Sequence, residues 1–277
     1  MRYLLLAIRA RWLGWCSACE LLAGRYVRAE RFVLGALKCL GPDSSNGVLA
    51  VRLLNTLGMV YKYQGRYAEA ARAYGRGLRV ARRHLDRDHA LFANLYHNLG
   101  GLHHARGSHA RGEPYARRAI AMRERLHGPA HPDVARDTAA LAGILDGLGR
   151  HREAEELHRR ALAAFERRFG SEQRDVAFVL GNLASCAHSM GRSAEAVPMA
   201  QRALTLHKKF LGATHPEVGL TLANLGVMQQ ALGRTADATA AYREAGAILE
   251  ETLGFAHRTT TTCRANYARL LAIAAGP

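Results

Sequence analysis

A glycine followed by arginine or serine returns every 42 residues along this chain, at Gly65-Arg66, Gly107-Ser108, Gly149-Arg150, Gly191-Arg192 and Gly233-Arg234. The same step carries Leu57 to Leu99, Leu141, Leu183 and Leu225, and on to Tyr267. The next position reads Gly58, Gly100, Ala142, Ala184, Gly226 and Ala268. A register held this long without a slip is the mark of a repeat architecture, in which each unit buries its apolar face only by stacking on its neighbours. Two helices and two short connections fill one period, so the expected fold is an all-α, right-handed α-solenoid of helical hairpins.

Helix ends can be placed from the punctuation. The pattern predicts a first hairpin of residues 3–22 with 26–40. Regular hairpins follow at 49–64 with 67–83, 90–106 with 109–126, 132–148 with 151–168, 174–190 with 193–210 and 216–232 with 235–252. A last unpaired helix is expected at about 258–274. The first hairpin is offset by 41 rather than 42, which sets residues 1–47 apart as an irregular cap, 48–256 as five repeats and 257–277 as a terminal helix. Leu40-Gly41-Pro42-Asp43 reads as a helix end, with Ser44 to Gly47 as the loop after it. Between repeats, Leu211-Gly212-Ala213-Thr214-His215-Pro216-Glu217 and the matching His127 to Asp133 have a shared logic. Glycine closes the outgoing helix, proline takes the first turn of the next, and an acid follows near its positive end.

Small residues recur at Ala70, Gly112, Ala154, Ala196 and Ala238, and seven positions on at Gly77, Ala119, Ala161, Ala203 and Ala245. A step of seven returns to one helix face, so these positions mark close backbone approach. Gly100, Gly101, Gly107, Gly112 and Pro114 weaken the third hairpin, and Pro114 and Pro198 are expected to delay or bend the start of an outer helix.

The formal charge of +16 points toward an anionic partner, yet all but Lys38, Lys62, Lys208 and Lys209 of the 39 basic residues are arginine. In an Ala- and Gly-rich chain that skew reads as G+C-rich coding, which removes its weight as a nucleic-acid signal. Five scattered cysteines, Cys16, Cys19, Cys39, Cys186 and Cys263, argue against a disulfide framework and for a reducing, cytoplasmic setting. The lone Cys16-x-x-Cys19 lacks the second pair that a zinc site requires. The apolar run from Tyr3 to Ile8 is too short to span a bilayer and reads as part of a packed helix. A homodimer through this N-terminal hairpin is a further expectation.

Leu-Gly/Ala followed by Gly-Arg-Tyr and the small residues of the second helix resembles tetratricopeptide repeats. The 42-residue period with Leu-Gly-x-x-His-Pro is more narrowly similar to the repeats of kinesin light chains and of bacterial regulators carrying such arrays. The resemblance covers about residues 24–272 and implies a non-catalytic scaffold, an adaptor or regulator, that binds a protein or peptide segment in a concave groove without a cofactor. The bulky aromatic usual in the first helix is replaced by Leu54, Thr138, Leu180 and Leu222, leaving Tyr96 as the aromatic example.

The residue before the recurring Leu is Thr56, Asn98, Ala140, Asn182, Asn224 and Asn266. Asparagine is a poor helix former, and its amide both donates and accepts, so Asn98, Asn182, Asn224 and Asn266 can bracket an extended peptide backbone. The resemblance implies the same role, and the competing reading is hydrogen bonding between neighbouring helices. Helix geometry adds Arg52, Asn94 and Arg136 one turn earlier, and Lys62, His104, Asp146, His188 and Gln230 about six residues later. The basic lean of this set favours an acidic peptide.

Two other function classes stay open. His97, His103, His104, Asp146 and His188 invite a metal or acid–base reading, but equivalent positions one hairpin apart are separated by about 10 Å, too far for shared coordination. Arg72, Arg76, Arg79 and Arg83 form one stripe on a second helix, with Arg82 and Arg87 beside them, and could grip an anionic surface or nucleic acid. No aromatic residues interleave that stripe to stack bases.

Overall fold

In the computed structural model, which describes residues 2–41 and 46–274, thirteen helices and no strand are found among the described residues. They are α1 (Arg2–Leu22), α2 (Tyr26–Leu40), α3 (Gly47–Tyr63), α4 (Tyr67–His84), α5 (Ala90–Ala105), α6 (His109–His127) and α7 (Pro132–Gly147), followed by α8 (His151–Phe169), α9 (Arg174–Ser189), α10 (Ser193–Leu211), α11 (Pro216–Ala231), α12 (Thr235–Leu253) and α13 (Arg258–Ala274). The chain forms two compact units, Met1–Gly147 and Leu148–Pro277. In the first, α1 pairs with α2, α3 with α4 and α5 with α6, and α7 closes the stack on α5 and α6. In the second, α9 pairs with α10 and α11 with α12, while α13 packs on α12.

Glycine sets the period. The hairpin turns at Gly65, Gly107, Gly149, Gly191 and Gly233 have φ between 71° and 78°, and the links between hairpins at Gly128, Gly170, Gly212 and Gly254 have φ between 82° and 91°. No other residue type among the described residues has positive φ. A side chain in this left-handed region costs about 1 kcal/mol or more, which is why the turn falls where glycine falls.

Histidine contributes a second device that the spacing alone did not reveal. Nδ1 of His89, His131, His215 and His257 accepts the backbone N–H two residues on, from Leu91, Asp133, Glu217 and Thr259, at 3.1–3.2 Å. These side chains therefore act as N-caps of α5, α7, α11 and α13, satisfying a donor that the first helical turn leaves open.

Two local expectations need correction. Neither proline delays its helix: α6 begins at His109 and α10 at Ser193, in step with α8 at His151, and Pro114 and Pro198 lie inside them. Gly47 is not loop but the first residue of α3, whose cap is Asn46 accepting from the Leu49 N–H at 3.1 Å. Pro42, Asp43, Ser44 and Ser45 of the expected helix end and loop lie outside the described residues.

Within a hairpin the two helices fit by size. The small-residue positions Ala70, Ala154, Ala196 and Ala238 are fully buried, as are Ala119, Ala203 and Ala245. A Cβ on Gly58 would come within 2.3–2.6 Å of the Tyr74 ring, and one on Gly226 within 2.9–3.1 Å of the Tyr242 ring. Where the second helix offers only Ala200 instead of tyrosine, the first helix carries Ala184. One core position of the second helix is occupied in turn by Ala81, Phe165, His207 and Leu249, all buried. His207 meets Phe178 edge-on at 4.7 Å between ring centres. Burial pushes its pKa down to about 4, opposed by the Ala177 backbone and helped by His215.

A base whose folded pKa lies below its unfolded value withdraws stability as the pH falls through the unfolded value. The unfolded chain takes up the proton near pH 6.5, so stability declines from there toward about pH 4. His207→Leu, copying Leu249, should remove this part of the acid sensitivity. Urea unfolding of both proteins across that range checks it, since a difference between them that does not vary with pH would contradict the assignment.

Candidate functional site

The first helices of each hairpin lie side by side within each unit, α3 beside α5 and α5 beside α7, then α9 beside α11 and α11 beside α13. One register position therefore recurs on adjacent helices. In the second unit this position holds Asn182, Asn224 and Asn266, the first exposed and the others half-buried. Among the described residues none of these three side chains makes a hydrogen bond, although each amide offers two donors and an acceptor. His188, six residues beyond Asn182, has Nδ1 2.9 Å from Ser193 Oγ, and Gln230 accepts from the Tyr242 hydroxyl at 3.2 Å.

The first unit uses the same position differently. Asn98 is 7% exposed and its amide donates to Asn55 Oδ1 at 2.8 Å, one residue off the register of its counterpart Thr56. Arg52 is exposed, and Lys62 extends over the Tyr63 ring at 4.6 Å. His104 is exposed at the residue level and has Nδ1 3.2 Å from Nδ1 of His109. Protein packed around its ring lowers its pKa, with His109 and Lys62 adding to the effect and Asp146 opposing it. Lys62, His104, His109 and Asp146 thus form one polar cluster, with Gly101 next to the Lys62 ammonium and Gly143 next to the His104 ring.

Asn94 and Arg136 belong to a second group, whose centre the register reading missed. Asp137 and Arg123 are 1% and 6% exposed, and Arg123 Nε donates to Asp137 Oδ2 at 2.6 Å. The guanidinium also donates to Asn94 Oδ1 at 2.7 Å and Asp133 Oδ2 at 3.1 Å, while His97 Nδ1 lies 2.6 Å from Asp137 Oδ1. Arg136 pairs with Asp133 at the exposed margin. The signal was present in the sequence. Arg123 stands where other repeats place Ala81, Phe165, His207 and Leu249, and Asp137 where they place Leu53, Leu95, Val179 and Thr221. Two opposite charges in register positions that elsewhere carry uncharged, mostly apolar residues are a buried pair in the making.

The remaining candidates are dispersed. His103 stacks on Tyr115 at 5.6 Å, and among the described residues no three His, Cys, Asp or Glu side chains are placed to share a metal ion. Arg72, Arg76, Arg79 and Arg83 are all exposed along α4. The five cysteines are free, with Cys16 and Cys19 both on α1. That helix exposes Leu5, Ile8, Trp12, Trp15 and Leu22. No helix among the described residues is long and apolar enough to cross a membrane.

Removing one member of a buried pair strands the other charge, at a cost of about 3–5 kcal/mol. Arg123→Leu should therefore destabilise the first unit by that order, while Arg123→Leu with Asp137→Leu should recover most of the loss. Chemical denaturation of the single and double variants checks the coupling, and equal losses in the two would contradict it.

A tetratricopeptide-repeat family model matches residues 91–167 and 175–251, more than half of the chain, and a second such model matches residues 51–91. No curated protein matches the sequence significantly. Among solved structures, BtubC (BKLC) from P. vanneervenii superposes with a TM-score of 0.56 at 24% identity, over 76% of this chain and 84% of that one. A putative kinesin light chain from Podosopora anserina with nearly identical TPR-like repeats gives 0.51 at 21% identity, over 73% and 97%. NprR in complex with its cognate peptide NprX gives 0.71 at 12% identity, over 96% and 72%. Likeness at these identities speaks to the fold, and it agrees with the unbroken register, the paired helices and the glycine turns. The chain belongs to the tetratricopeptide-repeat family, with repeats similar to those of kinesin light chains.

Proposed function

We propose that this protein is a non-catalytic scaffold, an adaptor or regulator, that binds a segment of a partner protein along the face formed by its first helices. The observation that carries the reading is the set Asn182, Asn224 and Asn266, three amides at one register position of adjacent helices with no hydrogen bond among the described residues. Asparagine is disfavoured inside a helix, and Ala140 shows that the fold does not need it there. An extended backbone presents alternating N–H and C=O groups, which such amides can meet from both sides. NprR, which shares the fold, is known in complex with a peptide.

In the first unit the corresponding surface is more basic. Arg52, Lys62 and His104 lie on it, with Arg136, Asn94 and Asn98 at or below its margin, and this composition favours an acidic segment. The polar residues that could suggest catalysis are each engaged locally: His97 with Asp137, His103 with Tyr115, His104 with His109 and His188 with Ser193. Of these contacts, His188 with Ser193 brings a base to a hydroxyl, but Ser193 is buried and among the described residues no carboxylate pairs with His188 to orient it.

Each backbone hydrogen bond contributes about 0.5–1.5 kcal/mol, so a single Asn→Ala change should weaken binding several-fold. Asn182→Ala, Asn224→Ala and Asn266→Ala together should weaken it by about tenfold to about a thousandfold. Peptides selected by the full chain from an array of neutral and acidic sequences provide the ligand, and helicity provides the folding control. A triple variant that keeps its helicity and binds those peptides with unchanged affinity would overturn the proposal.

A further inference from the structure

In the first unit, between α4, α5 and α6, lies a crevice of about 870 Å³ whose lining includes Arg82, Arg87, Arg118, Phe92, Tyr96 and Met122, and which the Arg125–Asp88 pair also borders. The three arginines are exposed and have no acidic partner among the described residues, and Arg118 lies over the Tyr96 ring at 5.2 Å. Phe92, Tyr96 and Met122 are 6–8% exposed, so they form an apolar floor rather than a free surface.

The second unit shows what the same place looks like when it is closed. There Arg202 on α10 donates to Glu166 on α8 at 2.9 Å and to the Ser171 carbonyl at 3.0 Å, and Lys209 pairs with Glu172 at 2.6 Å. Stepping back two periods converts these residues into Arg118, Arg82, Arg87, Arg125 and Asp88. One of the two ion pairs survives, with Arg125 Nη2 2.7 Å from Asp88 Oδ1. In the other, the carboxylate has become Arg82, so two arginines flank the crevice where a cation and an anion would otherwise meet. The floor differs as well, because Phe92 and Tyr96 stand where α9 carries Val176 and Leu180. With Asp88 taken up by Arg125, three arginines remain, among the described residues, without an acidic partner over an aromatic floor, an arrangement suited to an anion with an apolar body.

We propose that this crevice binds an aryl phosphate, its phosphoryl group held by Arg82, Arg87 and Arg118 and its ring resting against Phe92 and Tyr96. Guanidinium forks match phosphate oxygens in pairs, and a dianion answers several guanidinia where a single carboxylate would not. An aromatic body can pack offset or edge-on against the aromatic side chains that form the floor. The same chemistry is presented by a free small molecule and by a phosphotyrosine side chain of a partner protein. The site involves none of the residues of the first-helix face, so it stands or falls independently of that reading.

The test is calorimetric titration of the full chain at about 150 mM salt, where weak counter-ion effects are screened. Phenyl phosphate should bind one to one, and inorganic phosphate about tenfold or more weaker because it lacks the ring. Arg82→Glu restores the acid of the second unit. It should reduce phenyl phosphate binding by at least about tenfold, whereas Arg202→Gln, outside the crevice, should leave it unchanged. Phe92→Val with Tyr96→Leu should narrow the gap between the two probes. A peptide carrying phosphotyrosine that binds more tightly than phenyl phosphate assigns the source to a phosphorylated protein, and one that does not assigns it to a small molecule. The proposal is overturned if phenyl phosphate gives no saturable heat at millimolar concentration, if Arg82→Glu binds as the parent does, or if Arg202→Gln weakens binding as much as Arg82→Glu.

Discussion

Two glycines in each repeat after the first, and Gly65 in the first, all in the left-handed region of backbone space, hold this fold in step. Each stops a helix at a place where any side chain would be strained, and between them they leave a first helix of about four and a half turns and a second slightly longer one. The second helices α4, α6, α8, α10 and α12 begin at residues 67, 109, 151, 193 and 235, an interval that never changes. Proline inside α6 and α10 does not disturb it. The missing donor of a proline removes one backbone bond near the helix start, while the turn before it is already fixed by glycine.

A fixed interval makes each position comparable with its counterparts, and departures become informative. Most positions repeat their chemistry because they repeat their surroundings, as with the buried alanines and the paired Gly226 and Tyr242. Arg123 and Asp137 break the pattern together and satisfy one another inside the first unit. Arg82 breaks it alone, since Arg118 keeps the arginine of its register position, and the two do not satisfy one another. The second-unit pair of Arg202 with Glu166 supplies the comparison that separates a balanced substitution from an unbalanced one.

Much of the fold was legible in the sequence because its signals are local. Gly, Pro and small residues act through the backbone conformation or the steric room of their own position, so the hairpin boundaries and the close-packed stripe could be read directly. The histidine caps were not read, since in a chain of fourteen histidines one before a helix looks like many, and its role depends on Nδ1 reaching a donor two residues away. The asparagine position was legible but not its state. Asn98 is tied to Asn55, an off-register residue on a neighbouring helix, whereas among the described residues Asn182, Asn224 and Asn266 have no such neighbour. Whether a polar side chain is available is a tertiary property, set by what the next helix happens to carry.

The central claim is that partner segments are received by the first helices and not by the second. Hydrogen–deuterium exchange of the full chain, with and without a peptide selected from the array, addresses it directly, because exchange reports which backbone amides are protected on binding. Protection concentrated in α9, α11 and α13 around Asn182, Asn224 and Asn266 is the predicted result. Protection confined to α10 and α12, with the first helices exchanging as they do in the free protein, would contradict it.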